Sequence, residues 1–182
     1  MTGGAPGGVF QRTPPTNLQA EQALLGAILV NNRAYDAVVG FLRPEHFADP
    51  VNGRVFEALA RRIDAGRLAD AVTLAAEFAN AGTLDEAGGA GYLAVLLTAM
   101  VSILNAGPYG RAIRDCWQRR EMIGIAEELS ARCFAPGERT AGEIQGEIEE
   151  RLFALSESET DLAPVPAHEA MGAAIDAAVK AS

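Results

Sequence analysis

NAGPYGRAIRDCWQRREMIGIAEELSARCF, the stretch at residues 105–134, decides the fold class. Its apolar residues recur at the spacing of one helix face for about eight turns of 3.6 residues. These residues are Ile113, Cys116, Ile123, Ala126, Leu129 and Cys133. Pro108 stands in the first turn, where a missing N–H is tolerated. The stretch therefore predicts one long α-helix.

A second long helix is predicted after the Pro136-Gly137 turn. Thr140 and Glu143 have the spacing of a capping box at its start, and the helical pattern continues to about Glu157. The two helices are predicted to form an antiparallel hairpin over residues 105–157, and identical hairpins can cover each other's remaining apolar stripe by two-fold symmetry. The residues predicted for hairpin packing or a dimer interface are Ile113, Trp117, Ile123, Leu129, Ile144, Ile148, Leu152 and Leu155.

Charge on the two predicted arms supports this pairing. Near its start the first arm carries Arg111, Arg114, Arg119 and Arg120. Near its end the second arm carries Glu147, Glu149, Glu150 and Glu157. Antiparallel arms bring these ends together, so we expect ion pairs between them. Each exposed pair contributes only about 0–1 kcal/mol, so the pairs set the register more than the stability.

A compact helical head is predicted at residues 17–104. Asn17 is expected to cap its first helix, and Thr73 is expected to cap a later helix that Gly82 ends. Between them we expect a short helix at residues 34–41 and a stronger one at about 50–65, with Phe47 as a core anchor. A glycine-rich loop at residues 84–91 leads into the last helix of the head.

Both ends of the chain are predicted to lie outside this fold. Residues 1–16 are rich in Gly, Pro and Thr and predict a disordered arm. Residues 158–166 predict a linker, and residues 167–182 a short linker helix with an apolar stripe of Met171, Ile175 and Val179. Because this helix is too short to be stable alone, we expect its stripe to dock on a partner. Its abrupt end at Ser182 suggests a fragment of a longer protein. The predicted fold class is thus all-α: a multi-helix head, a long antiparallel helical hairpin and a C-terminal linker helix.

Composition excludes several classes of function. The net charge of −9 disfavours a module that holds nucleic acid mainly by phosphate contacts. Lys180 is the only lysine and follows no glycine cluster, which excludes a phosphate loop. Cys116 and Cys133 would be about 25 Å apart on one helix and cannot form a disulfide, which favours the cytoplasm. No apolar run is long enough for a transmembrane helix, and the N-terminus lacks a secretory signal.

The sequence offers only weak candidates for a metal-binding, phosphate-binding or catalytic site. His46 and His168 are far apart and near no cysteine cluster, so surface or capping roles are expected rather than a metal site. Gly88, Gly89 and Gly91 could cradle a phosphate, but no strand precedes them, so a loop is the expectation. Asp85 and Glu86 form a carboxylate pair that nothing activates. We therefore predict no catalytic, cofactor-binding or metal-binding residue, and a small-molecule enzyme is not supported.

Trp117 lies among Arg114, Arg119 and Arg120, a combination that can stack on the bases of single-stranded DNA. The acidic character of the chain and the position of Trp117 in the predicted hairpin favour packing against the second arm or a second copy.

Six ordered segments together resemble the N-terminal domain of the bacterial replicative DNA helicase family, DnaB. They are PPTNLQAEQALLGAIL at 14–29, PEHF at 44–47, ADAVTLAAEF at 69–78, GTLDEAGGAGYLAVL at 82–96, NAGPYGRAIRDCWQRREMI at 105–123 and the tail at 166–180. The chain departs from the family pattern at Pro108, at Gly110, where alanine is usual, and at residues 48–50. These departures put specific partner contacts in doubt but not the fold.

The resemblance implies a non-catalytic module that dimerises through its hairpin, with three dimers capping a hexameric ring. It also implies docking of the linker helix on a neighbouring ATPase domain, and binding of the primase C-terminal domain and a helicase loader. ATP, Mg²⁺ and single-stranded DNA would be bound only by the absent C-terminal part of a full-length protein.

An alternative is a stand-alone adaptor, such as a phage or mobile-element factor, that joins or poisons a host helicase ring. A native stop codon near Ser182 would discriminate it from the helicase domain.

Overall fold

All regular structure in the described part of the chain is helical. A computed structural model describes residues 13–83, 85, 89–135 and 137–160. The α-helices there are α1 Leu18–Val30, α2 Pro50–Asp64, α3 Ala71–Ala81, α4 Gly89–Ala99, α5 Ala106–Phe134 and α6 Ala141–Thr160. Short 3-10 helices lie at Asn32–Ala37, Pro44–His46 and Ile103–Asn105. The all-α prediction is confirmed. The predicted arm before residue 13 and the linker helix at 167–182 lie outside the described residues.

Helix α1 is the central helix of the head. As predicted, Asn17 caps it, with its Oδ1 atom accepting a hydrogen bond of 3.0 Å from the Ala20 amide. Its residues are buried on every side from Ala23 to Leu29, which is typical of a core helix rather than an amphipathic surface helix. A Cβ atom on Gly26 would lie 2.1 Å from the Leu96 carbonyl oxygen, so this glycine allows α1 and α4 to approach closely.

Two local predictions in the head were wrong. The segment predicted as a helix at residues 34–41 is the 3-10 helix Asn32–Ala37, which ends before Val38, Val39 and Gly40, residues of low helix propensity. The cap of α3 is Asp70, not Thr73. The Asp70 carboxylate accepts from the Thr73 amide, and the Thr73 hydroxyl accepts from the Asp70 amide, so Thr73 closes the capping box from its third position.

The chain divides into two compact units at Ser130–Ala131, within α5. In the first unit the core includes Phe56, Leu59, Leu74, Leu93 and Leu96, all less than 3% exposed. Phe47 is buried in the same core, as predicted. The N-terminal half of α5 packs on this head.

Gly110 explains the close approach of α5. A Cβ atom there would lie 2.6 Å from Val38 Cγ1 and 3.1 Å from Phe41 Cζ. The departure from alanine that distinguishes this chain at position 110 therefore has a packing role, because a methyl group would displace α5 or the Val38 side chain.

The second unit contains the end of α5 and all of α6. Thr140 and Glu143 form the predicted capping box, with the Glu143 carboxylate accepting from the Thr140 amide at 2.7 Å. Glu147 forms ion pairs with Arg132 and Arg139. Ile144 and Ile148 are buried. Helix α6 continues to Thr160, so the first residues of the predicted linker are helical.

Arg119 and Arg120, which were predicted to pair with the second arm, have partners within the first unit. Arg119 pairs with Asp115 one turn earlier on α5, at 2.9 Å. Arg120 donates to two backbone carbonyls of the head. In the second unit, Glu147 forms its ion pairs with Arg132 and Arg139 of the same unit.

Candidate protein-interaction site

A buried carboxylate fixes the elements that surround α1. Glu21 is 1% exposed and accepts hydrogen bonds from the Ala48 amide at 2.7 Å, the Asp49 amide at 3.3 Å and the Asn52 side chain at 2.9 Å. The Asn52 Oδ1 atom accepts from the Tyr92 hydroxyl at 2.5 Å. The network joins α1, the start of α2 and α4. Burial raises the pKa of Tyr92, so its hydroxyl stays protonated as a donor.

The start of α2 and the Pro44–His46 turn are held against α5 by an aromatic pair. The rings of His46 and Trp117 lie 4.2 Å apart between centroids, at 35°. His46 is buried, and its Nδ1 atom accepts from the Arg43 amide at 3.1 Å. Trp117 is half-buried. His46 thus has a capping role, as expected, but it is buried rather than at the surface. Trp117 packs on the head.

Burial lowers the pKa of His46 from 6.5 to about 4. The nearby guanidinium groups of Arg114, Arg43 and Arg120 act in the same direction, whereas Glu45 opposes them. The imidazole is therefore neutral at physiological pH. A neutral ring can accept the Arg43 amide proton, which an imidazolium ion cannot do.

Arg120 joins three segments of the first unit. Its Nη1 atom donates to the Pro15 carbonyl at 2.9 Å, and its Nη2 atom donates to the His46 carbonyl at 2.8 Å. The guanidinium fork thus binds α5 to the segment before α1 and to the end of the Pro44–His46 turn. We call Trp117, Arg120 and His46 the α5 clamp.

The predicted interface residues fall into different environments. In the first unit, Ile113 is 1% exposed in the head core, so it is not accessible to a second copy. Ile123 is exposed and Leu129 is half-buried. In the second unit, Ile144 and Ile148 are buried, Leu152 is exposed and Leu155 is half-buried. The predicted docking residues Met171, Ile175 and Val179 lie outside the described residues.

Further large apolar side chains, which were not predicted as interface residues, are exposed on α5 and α6. Met122 is 50% exposed in the first unit, and Phe153 is 61% exposed in the second. Each directly neighbours a selected residue in sequence, Ile123 and Leu152. Met122 also lies seven residues before Leu129, a spacing that places both on one helix face. That repeat was the signal available in the sequence.

The described residues contain no group of three His, Cys, Asp or Glu side chains that could hold a metal ion. Gly89, the first residue of α4, has a positive φ of 75°, and Gly91 also lies in α4, so the last residues of the loop predicted at 84–91 are helical; Asp85 is exposed. Gly88, Glu86 and His168 lie outside the described residues. Cys116 and Cys133 are both free, and burial raises the pKa of the Cys116 thiol.

Of the helices in the described ranges, none taken singly has the length and apolarity to cross a membrane. Gly91–Ala99 and Ile103–Phe134 meet those limits only as a pair, and the pair is bent by 89°.

The chain is similar to several bacterial proteins. Residues 13–115 match the family model described as the DnaB-like helicase N terminal domain. The replicative DNA helicase DnaB of Rickettsia prowazekii is 36% identical over 146 residues, which make up 80% of this chain and 30% of that protein. The DnaB of Rhodothermus marinus is 34% identical over 146 residues, 80% of this chain and 15% of that protein. The chain thus spans less than a third of the length of these relatives.

Two solved structures resemble the fold. The crystal structure of the N-terminal domain of DnaB helicase from Mycobacterium tuberculosis superposes with a TM-score of 0.72 at 30% identity, covering 78% of this chain and 99% of that one. A structure of a DnaB-like replicative helicase and its interactions with primase gives a TM-score of 0.59 at 26% identity, covering 74% of this chain and 31% of that one.

Proposed function

Because this chain belongs to the DnaB-like helicase N-terminal domain family, we propose that it is the non-catalytic assembly and partner-docking domain of a hexameric replicative DNA helicase. The observation that carries the proposal is the match to the crystal structure of a DnaB N-terminal domain, 99% of whose chain is covered. ATP hydrolysis, Mg²⁺ binding and movement on single-stranded DNA belong in this proposal to a C-terminal motor domain, and the setting is the cytoplasm.

Self-association through α5 and α6 is the assembly step that we propose. The support is the exposure of large apolar side chains on both helices, Met122 and Ile123 on α5 and Leu152 and Phe153 on α6. A two-fold dimer would remove these side chains from water, and about 25 cal/mol is gained for each Å² of apolar surface buried. Three such dimers would form the collar of a ring.

Primase is the partner that we propose for the assembled domain, through its C-terminal domain. The support is the similarity to the DnaB-like helicase whose structure concerns interactions with primase. A helicase loader and the ATPase domain of a neighbouring subunit complete the proposed partners, the latter through Met171, Ile175 and Val179 of the linker helix.

Sedimentation of the purified chain, alone and with the C-terminal domain of a bacterial primase, tests the proposal. We expect a dimer or larger assembly that binds primase. Ile123→Glu and Leu152→Glu should shift the chain to a monomer, because a buried charge without a partner opposes association. The matched control is Val72→Glu, since Val72 is 78% exposed on α3 of the head, and it should still associate. A wild-type monomer at high concentration without primase affinity would contradict the proposal.

The stand-alone adaptor is distinguished by the size of the natural polypeptide. An immunoblot of source cells with an antibody to this domain should detect a band much larger than 19.1 kDa if the domain belongs to a helicase. A band at 19.1 kDa would instead support the adaptor.

A further inference from the structure

We propose that Arg120 is a positioning residue, which fixes the rotation of α5 on the head and thereby the direction in which α5 presents its self-association surface. The inference rests on the proposed function, in that α5 is taken to carry a surface for a second copy. It concerns a different part of the helix, the face that contacts the head.

One face of α5 is bound to the head over two turns. Ile113, Trp117 and Arg120 follow the i, i+4, i+7 spacing and therefore lie on the same side of the helix. Ile113 enters the core, Trp117 stacks on His46, and Arg120 donates to the Pro15 and His46 carbonyls. A helix held at three successive points along one face cannot rotate without breaking all three contacts.

The exposed apolar surface begins directly after the last of these contacts. At about 100° per residue, Met122 lies roughly 160° around the helix from Arg120. It is 50% exposed, as expected for the face turned away from the head. The clamp is therefore the final contact that sets the orientation of Met122 and, further along, of Leu129.

Arg120 is suited to this role by its shape. A guanidinium group presents several N–H donors in a rigid planar fork, so one side chain can bind two carbonyls of different segments in a fixed geometry. The two acceptors are far apart in sequence: Pro15 precedes α1, and His46 ends the second 3-10 helix. Loss of the fork would remove both hydrogen bonds while leaving Ile113 in the core, and the Pro44–His46 turn would then be held on α5 only by the stacking of His46 on Trp117.

The neighbouring Arg119 offers a matched control. It is exposed and pairs with Asp115 on the same helix, so it has the same charge and helix propensity as Arg120 but binds a side chain of α5 rather than the head carbonyls. Arg120→Lys keeps the charge, but its compact ammonium group lacks the planar fork.

The test compares Arg120→Ala, Arg120→Lys and Arg119→Ala in the full chain. Three readouts are needed: the unfolding free energy, the emission of Trp117, which is the only tryptophan, and the dissociation constant of self-association under conditions where every variant is folded. We expect Arg120→Ala to red-shift the emission and weaken self-association about tenfold or more, since two charge-assisted hydrogen bonds are lost. Arg120→Lys should retain part of the affinity, and Arg119→Ala should leave emission and affinity unchanged.

A purely structural role would lower the unfolding free energy but leave the dissociation constant of the folded variants unchanged, and this result would overturn the inference. An equal loss of affinity in Arg119→Ala would overturn it as well, because charge alone would then explain the effect. If the wild-type chain itself does not associate, the proposed function fails first. If Arg120→Ala does not fold, Arg120→Lys decides between the positioning role and the structural one.

Discussion

The imidazole of His46 lies against the indole of Trp117, with 4.2 Å between the ring centroids, at the contact between the head and α5. Burial and the guanidinium groups of Arg114, Arg43 and Arg120 hold the pKa of this histidine at about 4. Because protonated imidazole quenches indole emission more strongly than neutral imidazole, the fluorescence of Trp117 should report this titration. We expect an emission change with a midpoint near pH 4 rather than at the ordinary pKa of 6.5.

The free energy of unfolding should also depend on the protonation of His46. In the unfolded chain His46 takes up a proton as the pH falls through 6.5, whereas in the folded chain it does so only near 4. The unfolded state therefore binds more protons in this interval, and the free energy of unfolding falls with the pH there, by at most about 3 kcal/mol. Urea titrations at several pH values measure this slope. His46→Asn, whose Oδ1 atom can still accept from the Arg43 amide, should remove it, and a midpoint near 6.5 in the wild type would contradict the burial of the ring.

Replacing Glu21 should be among the most destabilising single changes in the head. Glu21→Ala leaves the half-buried amides of Ala48 and Asp49 and the buried side chain of Asn52 without their acceptor. Unsatisfied buried donors of this kind cost about 1–3 kcal/mol each, so we expect a loss of at least about 3 kcal/mol in chemical denaturation. Tyr92→Phe removes only the outermost bond of the network and should cost about 1 kcal/mol.

Glu57→Gln is the control for Glu21, because Glu57 is exposed on α2. Its effect should stay within about 0.5 kcal/mol, as for most surface substitutions. A comparable loss in both variants would point to a general charge effect rather than to the buried network.

Helix positions could be predicted from the sequence because apolar periodicity, Asn17, Gly82 and the Thr140–Glu143 box act locally. The error at residues 34–41 has a different origin. There the chain has helix-like composition at first, but Val38, Val39 and Gly40 oppose continuation, and the Asn32 side chain binds the Ala69 backbone from a distance of 37 residues. A tertiary contact of this separation leaves no periodic signal in the sequence.

The candidate site was predictable only in part. The spacing of Ile113 and Trp117 placed both on one face of α5, but the sequence did not say that this face contacts the head. Likewise, Arg120 looked like an exposed partner for the acidic second arm. Its two acceptors are backbone carbonyls, which every residue carries, so no side-chain pattern marks them. The sequence likewise does not show that Gly110 lies close to Val38, although this contact leaves no room for a Cβ atom at position 110.

Gly26 should not tolerate a methyl group. In Gly26→Ala the new Cβ atom would lie 2.1 Å from the Leu96 carbonyl oxygen and 3.1 Å from Met100 Cβ, so α1 and α4 must move apart. Such overpacking costs about 1–3 kcal/mol or more. The Leu96 carbonyl oxygen is a backbone atom, so it cannot turn away as the end of a flexible side chain could. We expect a loss at the upper end of this range, measured by thermal or urea unfolding.

Gly124→Ala on α5 should have the opposite sign. Nothing lies within 4 Å of a Cβ atom there, so the substitution gains helix propensity of about 0.5–1 kcal/mol without a clash. If both variants were equally destabilised, the close approach of α1 and α4 at Gly26 would be wrong.

Two residues of the segment ADAVTL at 69–74 are candidates for the N-cap of α3, Asp70 and Thr73. With Thr73 as the N-cap, Thr73→Ala would be the most costly change. In the structure the Asp70 carboxylate accepts from the Thr73 amide at 2.8 Å, and these hydrogen bonds hold the pKa of Asp70 below its usual value. Asp70→Ala should therefore cost about 1 kcal/mol of unfolding free energy, and Asp70→Asn much less, because asparagine also caps. Thr73→Ala should cost less than Asp70→Ala. It removes the contacts of the hydroxyl with the Asp70 amide and with the Leu68 and Asp70 carbonyls, but the Asp70 carboxylate still accepts from the amide of residue 73.

The lowered pKa of Asp70 also predicts a pH dependence. The stabilisation by Asp70 is present above its unfolded pKa and is lost as the pH falls through its folded pKa, so the difference between wild type and Asp70→Ala should shrink in acid. Urea denaturation followed by far-UV circular dichroism measures the free energy of unfolding of all three variants. A larger loss in Thr73→Ala than in Asp70→Ala would show that Thr73 is the N-cap.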